Sequence, residues 1–221
     1  MIYNHRILTI KAMYDLVKHS KFVYEYQNCV SKSWCDYMIA ALKKGMQTEK
    51  MHEKNEVRHN RAYCITTSSN EEIKKLHFLV HEKINRAHDL YTTNNKDIFP
   101  VLNLLSSHLD THTLESDFVY RTYDENDYYD WHVDRKIGGS DFYFSYLLYL
   151  NDDFCGGNTL FLHDKLKIAP KVGSIICFPC DTYMAHKSTK ILKGEKHIIW
   201  TCLEAREKEG SGYSKNDIRS L

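Results

Sequence analysis

Residues 128–134 read YYDWHVD, a histidine and an aspartate two positions apart behind three aromatic rings. In a strand, side chains alternate between faces, so His132 and Asp134 share one face while Trp131 and Val133 take the other. An imidazole nitrogen and a carboxylate oxygen so placed can hold one metal ion without backbone distortion. A third ligand must come from elsewhere, and the candidate is His186 in DTYMAHKSTK, just after the apolar run GSIICFP. Two histidines and one carboxylate on one face of an octahedron suit non-haem Fe(II), because three adjacent positions stay open. A structural zinc site would show a fourth protein ligand, and none is paired with these three.

The elements that must position this trio fall into two halves. SWCDYMIAALKK puts Trp34, Met38, Ala41 and Leu42 at helical spacing, with Ser33 as the expected cap. A second helix is expected from Ser69, where Ser69 and Glu72 form a capping-box pattern, and carries Ile73, Leu76, Val80, Ile84, Ala87 and Tyr91 on one stripe. From residue 116 the period drops from near 3.6 to short β-type runs: 117–123, 129–134, 142–150, 158–163, 173–179 and 196–205. Gly138, Gly139, Gly156, Gly157, Pro170 and Gly173 mark the turns between them. Helices followed by antiparallel strands predict an α+β chain in which helices cover one side of a sheet or barrel.

The order and spacing of several separated motifs carry a resemblance. YDENDYYDWHVD, SYLLYLNDDFCGGNTLFL, IAPKVGSIICFP, His186 and KGEKHIIWTCL follow one another as in the Fe(II)- and 2-oxoglutarate-dependent dioxygenases. From about Phe22 to Ala205 the chain resembles the catalytic domain of the prolyl 4-hydroxylase type. The resemblance implies a double-stranded β-helix (jelly-roll, cupin-like) core with N-terminal supporting helices. It implies one domain over 1–221, with helical support at 22–95, a catalytic core at 116–205 and a polar tail at 207–221. It implies that His132, Asp134 and His186 bind iron. It places Lys196, ten positions after His186, on the far carboxylate of 2-oxoglutarate, a charge-assisted contact that accounts for an inward-facing ammonium. Tyr123, nine residues before His132, matches a tyrosine on the same carboxylate, and Ser145 falls where a hydroxyl assists in some relatives. Many bacterial and viral members carry arginine where Lys196 stands, and lysine is the choice of the collagen-modifying branch. Tyr129 is left as a rim residue or a substrate contact.

The activity so implied is hydroxylation of a protein or peptide residue, with proline the first expectation. O2 is consumed, succinate and CO2 are released, and ascorbate is a possible reductant. The polar segments 48–60 and 134–141 are expected to flank the mouth and set specificity. Two other readings stand beside this one: the same chemistry on a nucleic acid base or a free amino acid, and a non-catalytic barrel that binds a metal or small ligand. Alkylated-base demethylases carry a second arginine after the distal histidine, and nothing fills that role before Arg206.

Composition limits partners more than it names them. Lysine plus arginine number 30 against 29 aspartate plus glutamate, so no global positive field gathers nucleic acid or anionic membrane. The first 21 residues interrupt their apolar positions with His5, Arg6, Lys11, Asp15 and Lys18, unlike a signal peptide. No window approaches the roughly 20 apolar residues of a spanning helix. Seven scattered cysteines fit a reducing compartment, so the expected location is cytoplasmic. A second HxD, His108 and Asp110 followed by His112, sits in polar loop-like surroundings and reads as solvated surface. Cys177 and Cys180 in CFPC lack a second CxxC and read as packing, and Gly156 with Gly157 reads as a tight turn rather than a phosphate loop.

Overall fold

The computed structural model describes residues 14–49, 51–52, 54–95, 109–110, 117–134, 142–204 and 206–207. In chain order its elements begin with β1 (Asp15–Lys18), β2 (Tyr24–Gln27), α1 (Lys32–Thr48), β3 (Met51–His52), β4 (Arg58–His59), β5 (Arg61–Cys64) and α2 (Glu71–Asn94). There follow β6 (Leu109–Asp110), β7 (Val119–Tyr123), β8 (Tyr128–His132), β9 (Phe142–Tyr149), β10 (Cys155–Gly156), β11 (Thr159–Phe161) and β12 (Leu166–Ile168). The last are β13 (Ile175–Pro179), β14 (His186–Ser188), β15 (Ile191–Lys193), β16 (Lys196–Glu204) and β17 (Arg206–Glu207).

An eight-stranded sheet runs β1-β2-β13-β9-β16-β7-β5-β3, and a five-stranded sheet runs β12-β11-β14-β8-β4. The recorded pairings are antiparallel throughout, and the two sheets form the expected double-stranded β-helix core. Alternation along the central strands explains why the core divides in two. On β9, Phe144, Tyr146 and Leu148 join the helices, whereas Leu147 and Tyr149 turn toward the smaller sheet. On β13, Ile175 and Cys177 take the helix side and Ile176 and Phe178 the barrel side. On β16, Ile199 and Leu203 face the helices while Ile198 faces inward. A sheet buried on both faces reads as a nearly continuous apolar run, which is what FYFSYLLYL and GSIICFP are.

The stripe expected on α2 is the buried set in full: Ile73, Leu76, Val80, Ile84, Ala87 and Tyr91. Each large aliphatic member contributes about 1.5–3 kcal/mol on burial. The helix starts one residue later than expected. Asn70, not Ser69, is the cap, its side chain accepting from the amides of Glu72 at 2.8 Å and Ile73 at 3.4 Å. Ser69 instead donates to Glu49 at 3.0 Å, so the capping box does not form. On α1 the cap is Ser31 rather than Ser33, and its buried stripe is Cys35, Met38, Ala41, Leu42, Gly45 and Met46. Trp34 lies off that stripe, exposed and edge-on to Tyr37.

The N-terminal half is not wholly helical. β2 pairs with β13 and β5 pairs with β7, so two segments outside the expected strands widen the larger sheet. Gly173 ties this region down: its carbonyl accepts from the amides of Cys29 and Val30 at 3.0 and 3.2 Å, and its own amide donates to Tyr149. None of the seven cysteines forms a disulfide. Cys177 is buried and Cys180 lies against Cys202, so CFPC serves packing. Gly156 and Gly157, both at positive φ, form the turn between strands. Among the described residues no helix is long and apolar enough to cross a membrane. His108 and His112 of the second HxD, residues 135–141 of the expected mouth segment and residues 208–221 of the tail lie outside the described residues.

Candidate metal centre and its pocket

The turn from β7 into β8, which crosses from the larger sheet to the smaller, aims the first candidate ligands. It is closed by Asp127, a buried carboxylate that accepts from the Asp124 amide at 2.9 Å and from Lys54 at 2.7 Å. Asn126 takes the left-handed conformation there, which asparagine tolerates better than most residues. β8 then runs against β14, and the register makes His132 and His186 direct cross-strand partners. Asp134 follows the end of β8 and returns to both rings. His132 Nε2 lies 3.5 Å from Asp134 Oδ1 and His186 Nε2 lies 3.6 Å from Oδ2. One candidate ligand atom from each residue lies within 4.8 Å of the others, the only such cluster among the described residues.

Both imidazoles have their outer nitrogen occupied by backbone. His132 Nδ1 donates to the Asp130 carbonyl at 2.7 Å, and His186 Nδ1 to the Met184 carbonyl at 2.9 Å. That fixes the tautomer and leaves each Nε2 lone pair aimed at the centre. The Tyr129 ring stacks on His132 with centroids 3.6 Å apart and planes 8° apart, holding the imidazole plane. Burial drives the His186 pKa down to about 4, with Asp134 acting in the opposite direction, so the ring is a neutral donor at ordinary pH. For Asp134, burial alone would raise the pKa. The neighbouring histidines and the Ser145 hydroxyl outweigh it and hold the group ionised.

The other expected residues divide between the pocket and its support. A pocket enclosing about 370 Å³, counting its open mouth, is lined by Tyr123, Tyr129, the histidine–aspartate cluster, Leu147, Lys196, Ile198 and Trp200, with Arg121 beside them. Lys196, the cross-strand partner of Tyr123, is 1% exposed. Its ammonium donates to the Gly157 carbonyl at 2.6 Å and to Ser188 at 2.9 Å, and lies over the rings of Tyr123 and Tyr149. It forms no ion pair among the described residues, and burial pulls its pKa down to about 7. Ser145 does not line the pocket. Its hydroxyl is fully buried and donates to Asp134 Oδ2 at 2.6 Å.

Sequence reasoning missed two residues here. Trp200 donates from Nε1 to Asp134 Oδ2 at 3.0 Å, and the Arg121 guanidinium lies over the Trp200 and Tyr129 rings. Their positions carried a signal: Trp200 shares the strand face of Lys196, and Arg121 that of Tyr123.

The donor set suits a divalent iron. Two imidazoles and one carboxylate converge, and among the described residues the remaining approach opens into the pocket rather than onto a fourth protein ligand. Residues 118–202 match the 2OG-Fe(II) oxygenase superfamily. Over that span the chain is similar to this superfamily. That superfamily's description implies Fe(II) and 2-oxoglutarate, and the histidine–aspartate–histidine cluster of this chain fits the iron.

Solved structures resemble the fold over most of the chain. A viral collagen prolyl hydroxylase from Paramecium Bursaria Chlorella virus-1, seen with 2OG, is 20% identical with a TM-score of 0.59, over 84% of this chain and 97% of that one. A Pseudomonas putida prolyl-4-hydroxylase is 15% identical with a TM-score of 0.61, over 83% and 92%. A prolyl hydroxylase from Trichoplax adhaerens, in complex with a hypoxia inducible factor oxygen degradation domain peptide fragment, is 16% identical with a TM-score of 0.62, over 84% of each chain. No curated protein matches the chain in sequence.

Proposed function

We propose that the chain is an Fe(II)- and 2-oxoglutarate-dependent hydroxylase of a protein or peptide residue, with proline the first substrate to test. The observation that carries this reading is Lys196. A fully buried ammonium without an ion-pair partner among the described residues, in the same pocket as an open-faced pair of histidines and an aspartate, calls for an anionic ligand that also reaches the metal. The peptide preference rests on likeness to prolyl hydroxylases, one of them bound to a peptide fragment. Within the chain, Arg58 and His59 of β4 pair beside Tyr129 and Tyr128, which puts the end of the 48–60 segment next to the pocket.

His132, Asp134 and His186 would hold the metal through the two Nε2 atoms and a carboxylate oxygen. When bound, iron supplies the oxygen activation, coupled to conversion of 2-oxoglutarate into succinate and CO2, with ascorbate as an external reductant. Lys196 binds the far carboxylate, which keeps its proton on the ammonium. Tyr123 faces Lys196 across the strands and forms the floor at that end. Ser145 and Trp200 orient the Asp134 carboxylate, and Leu147, Ile198 and the indole keep water from the reacting end.

The test is succinate formation by purified protein with Fe(II), 2-oxoglutarate and ascorbate under air, compared with His132→Ala and Lys196→Ala. Slow substrate-free turnover lost in the first variant, and shifted to a higher 2-oxoglutarate requirement in the second, is the expected result. Proline-containing peptides are then screened by mass for gain of one oxygen. Absence of both turnover and 2-oxoglutarate binding would reject the reading in favour of a non-catalytic barrel.

A further inference from the structure

The pocket holds a second buried cation. Arg121 lies on β7 two residues before Tyr123, on the same strand face, and is 6% exposed. Its guanidinium carbon is 5.2 Å from the centre of the Trp200 ring and 5.5 Å from that of Tyr129. The rings account for its flat faces but not for its edge. Nη1 is buried without a hydrogen-bond partner, and Arg121 forms no ion pair among the described residues. A buried donor left unmet is unfavourable, and a charged one more so. The residue has the burial and the orphan donor of a binding group rather than of a packing arginine.

Register gives the spacing between the two cations. Tyr123 opposes Lys196 on β16, and Arg121 opposes Ile198, one pleat repeat further along. That repeat is about 7 Å. A five-carbon dicarboxylate has its end carbons about 5 Å apart by ordinary bond lengths. Charge-assisted contacts at both ends therefore suit this pair of positions. The Arg121 end is also the metal end, because the indole it covers bonds to Asp134.

We propose that Arg121 is a second carboxylate contact of the pocket, donating from Nη1 to the oxo-acid carboxylate of 2-oxoglutarate while Lys196 holds the far one. The inference rests on the function proposed above. It assigns Arg121 to co-substrate binding rather than to support of the fold. The two cations then divide one ligand between them, Lys196 reading its length and Arg121 its oxo-acid head.

The experiment is calorimetric titration of the Mn(II)-loaded protein with 2-oxoglutarate and with 2-oxobutyrate, which keeps the oxo-acid end and lacks the far carboxylate. Arg121→Gln is expected to weaken both by the same factor, about tenfold or more. Lys196→Met should weaken 2-oxoglutarate alone and bring it to the level of 2-oxobutyrate. Mn(II) affinity is measured in parallel to report an intact metal site. Should Arg121→Gln lose Mn(II) or fail to fold, Arg121→Lys carries the test, since it keeps the charge but not the forked donors; a shared, smaller loss for both ligands is then expected. Unchanged affinity for both ligands overturns the proposal, as does a loss confined to 2-oxoglutarate. A wild-type protein that binds neither ligand rejects the proposed function itself and this inference with it, a result distinct from failure of the arginine variants alone.

Discussion

Trp200 Nε1 and Asp134 Oδ2 lie 3.0 Å apart, and the same indole N–H is 3.0 Å from the Ser145 hydroxyl that also bonds to Asp134. Two donors on one carboxylate oxygen fix its rotation and leave Oδ1 to the His132 side. Support of this kind governs metal affinity as well as geometry. Trp200→Phe keeps a ring of similar shape and removes the donor, and Ser145→Ala removes the other. We expect each to weaken divalent-metal binding by about 10- to 100-fold with the fold retained. Titration with Co(II), followed by its visible absorption, reads this directly. Wild-type affinity in both variants would show that the carboxylate needs no such help.

The buried ammonium sets the pH response. Lys196 titrates at about 7 in the folded protein, because burial disfavours its charged form. In the unfolded chain it titrates near about 10.4. Between those values the unfolded chain binds a proton that the folded one lacks, so ligand-free stability should rise with pH across that window. Below it, both states are protonated and the full penalty of burying the charge applies. A dianionic ligand reverses the preference and draws a proton onto Lys196. Affinity for 2-oxoglutarate should therefore fall as pH rises above about 7, with proton uptake on binding. Calorimetry in buffers of differing ionisation enthalpy measures that uptake, and Lys196→Met should abolish it.

Gly157 couples a turn to the same lysine. Its φ is +62°, and a Cβ there would meet Ile191 Cδ1 at 2.5 Å, Phe154 Cε2 at 2.8 Å and Lys196 Cδ at 3.2 Å. Its carbonyl accepts the Lys196 ammonium. Gly157→Ala should cost about 1–3 kcal/mol of stability and should also weaken 2-oxoglutarate binding while leaving Mn(II) affinity intact. Gly173→Ala makes the contrast: its Cβ would stand 1.9 Å from the carbonyl oxygen of Val30, and neither residue lines the pocket. There the expected cost is about 3 kcal/mol or more, with no selective effect on the ligand. Urea unfolding beside ligand titration separates the two cases.

How much of this was legible depended on whether the cause was local. The α2 stripe was readable because one helix face packs on one sheet, and periodicity records that fact. The caps of both helices were misplaced by one or two residues, because serine and asparagine compete for the same amides in SKS and SSN. β2 and β5 were missed for a different reason. YEYQ and RAYC are four residues each, and only their pairing with distant β13 and β7 makes them strands. The ligand cluster was visible in residue types and order. Arg121 and Trp200 were not, since an arginine and a tryptophan on strands look ordinary until the register sets them against Tyr129 and Asp134.

The stacking of Tyr129 on His132 separates a role for the ring from one for the hydroxyl. The two planes lie nearly parallel at 3.6 Å, and the Arg121 guanidinium also lies over the Tyr129 ring. Burial raises the phenol pKa, so the group is a neutral hydroxyl at working pH. If the ring matters through packing, Tyr129→Phe should keep wild-type Co(II) and 2-oxoglutarate affinities, and any loss it shows in peptide turnover assigns the hydroxyl to the substrate. Tyr129→Ala frees one face of His132 and of Arg121 together. We expect it to weaken both affinities several-fold, a loss of about 1 kcal/mol, as befits an aromatic pair. Equal loss in the phenylalanine variant would mean that the hydroxyl, and not the stacked ring, holds the imidazole in place.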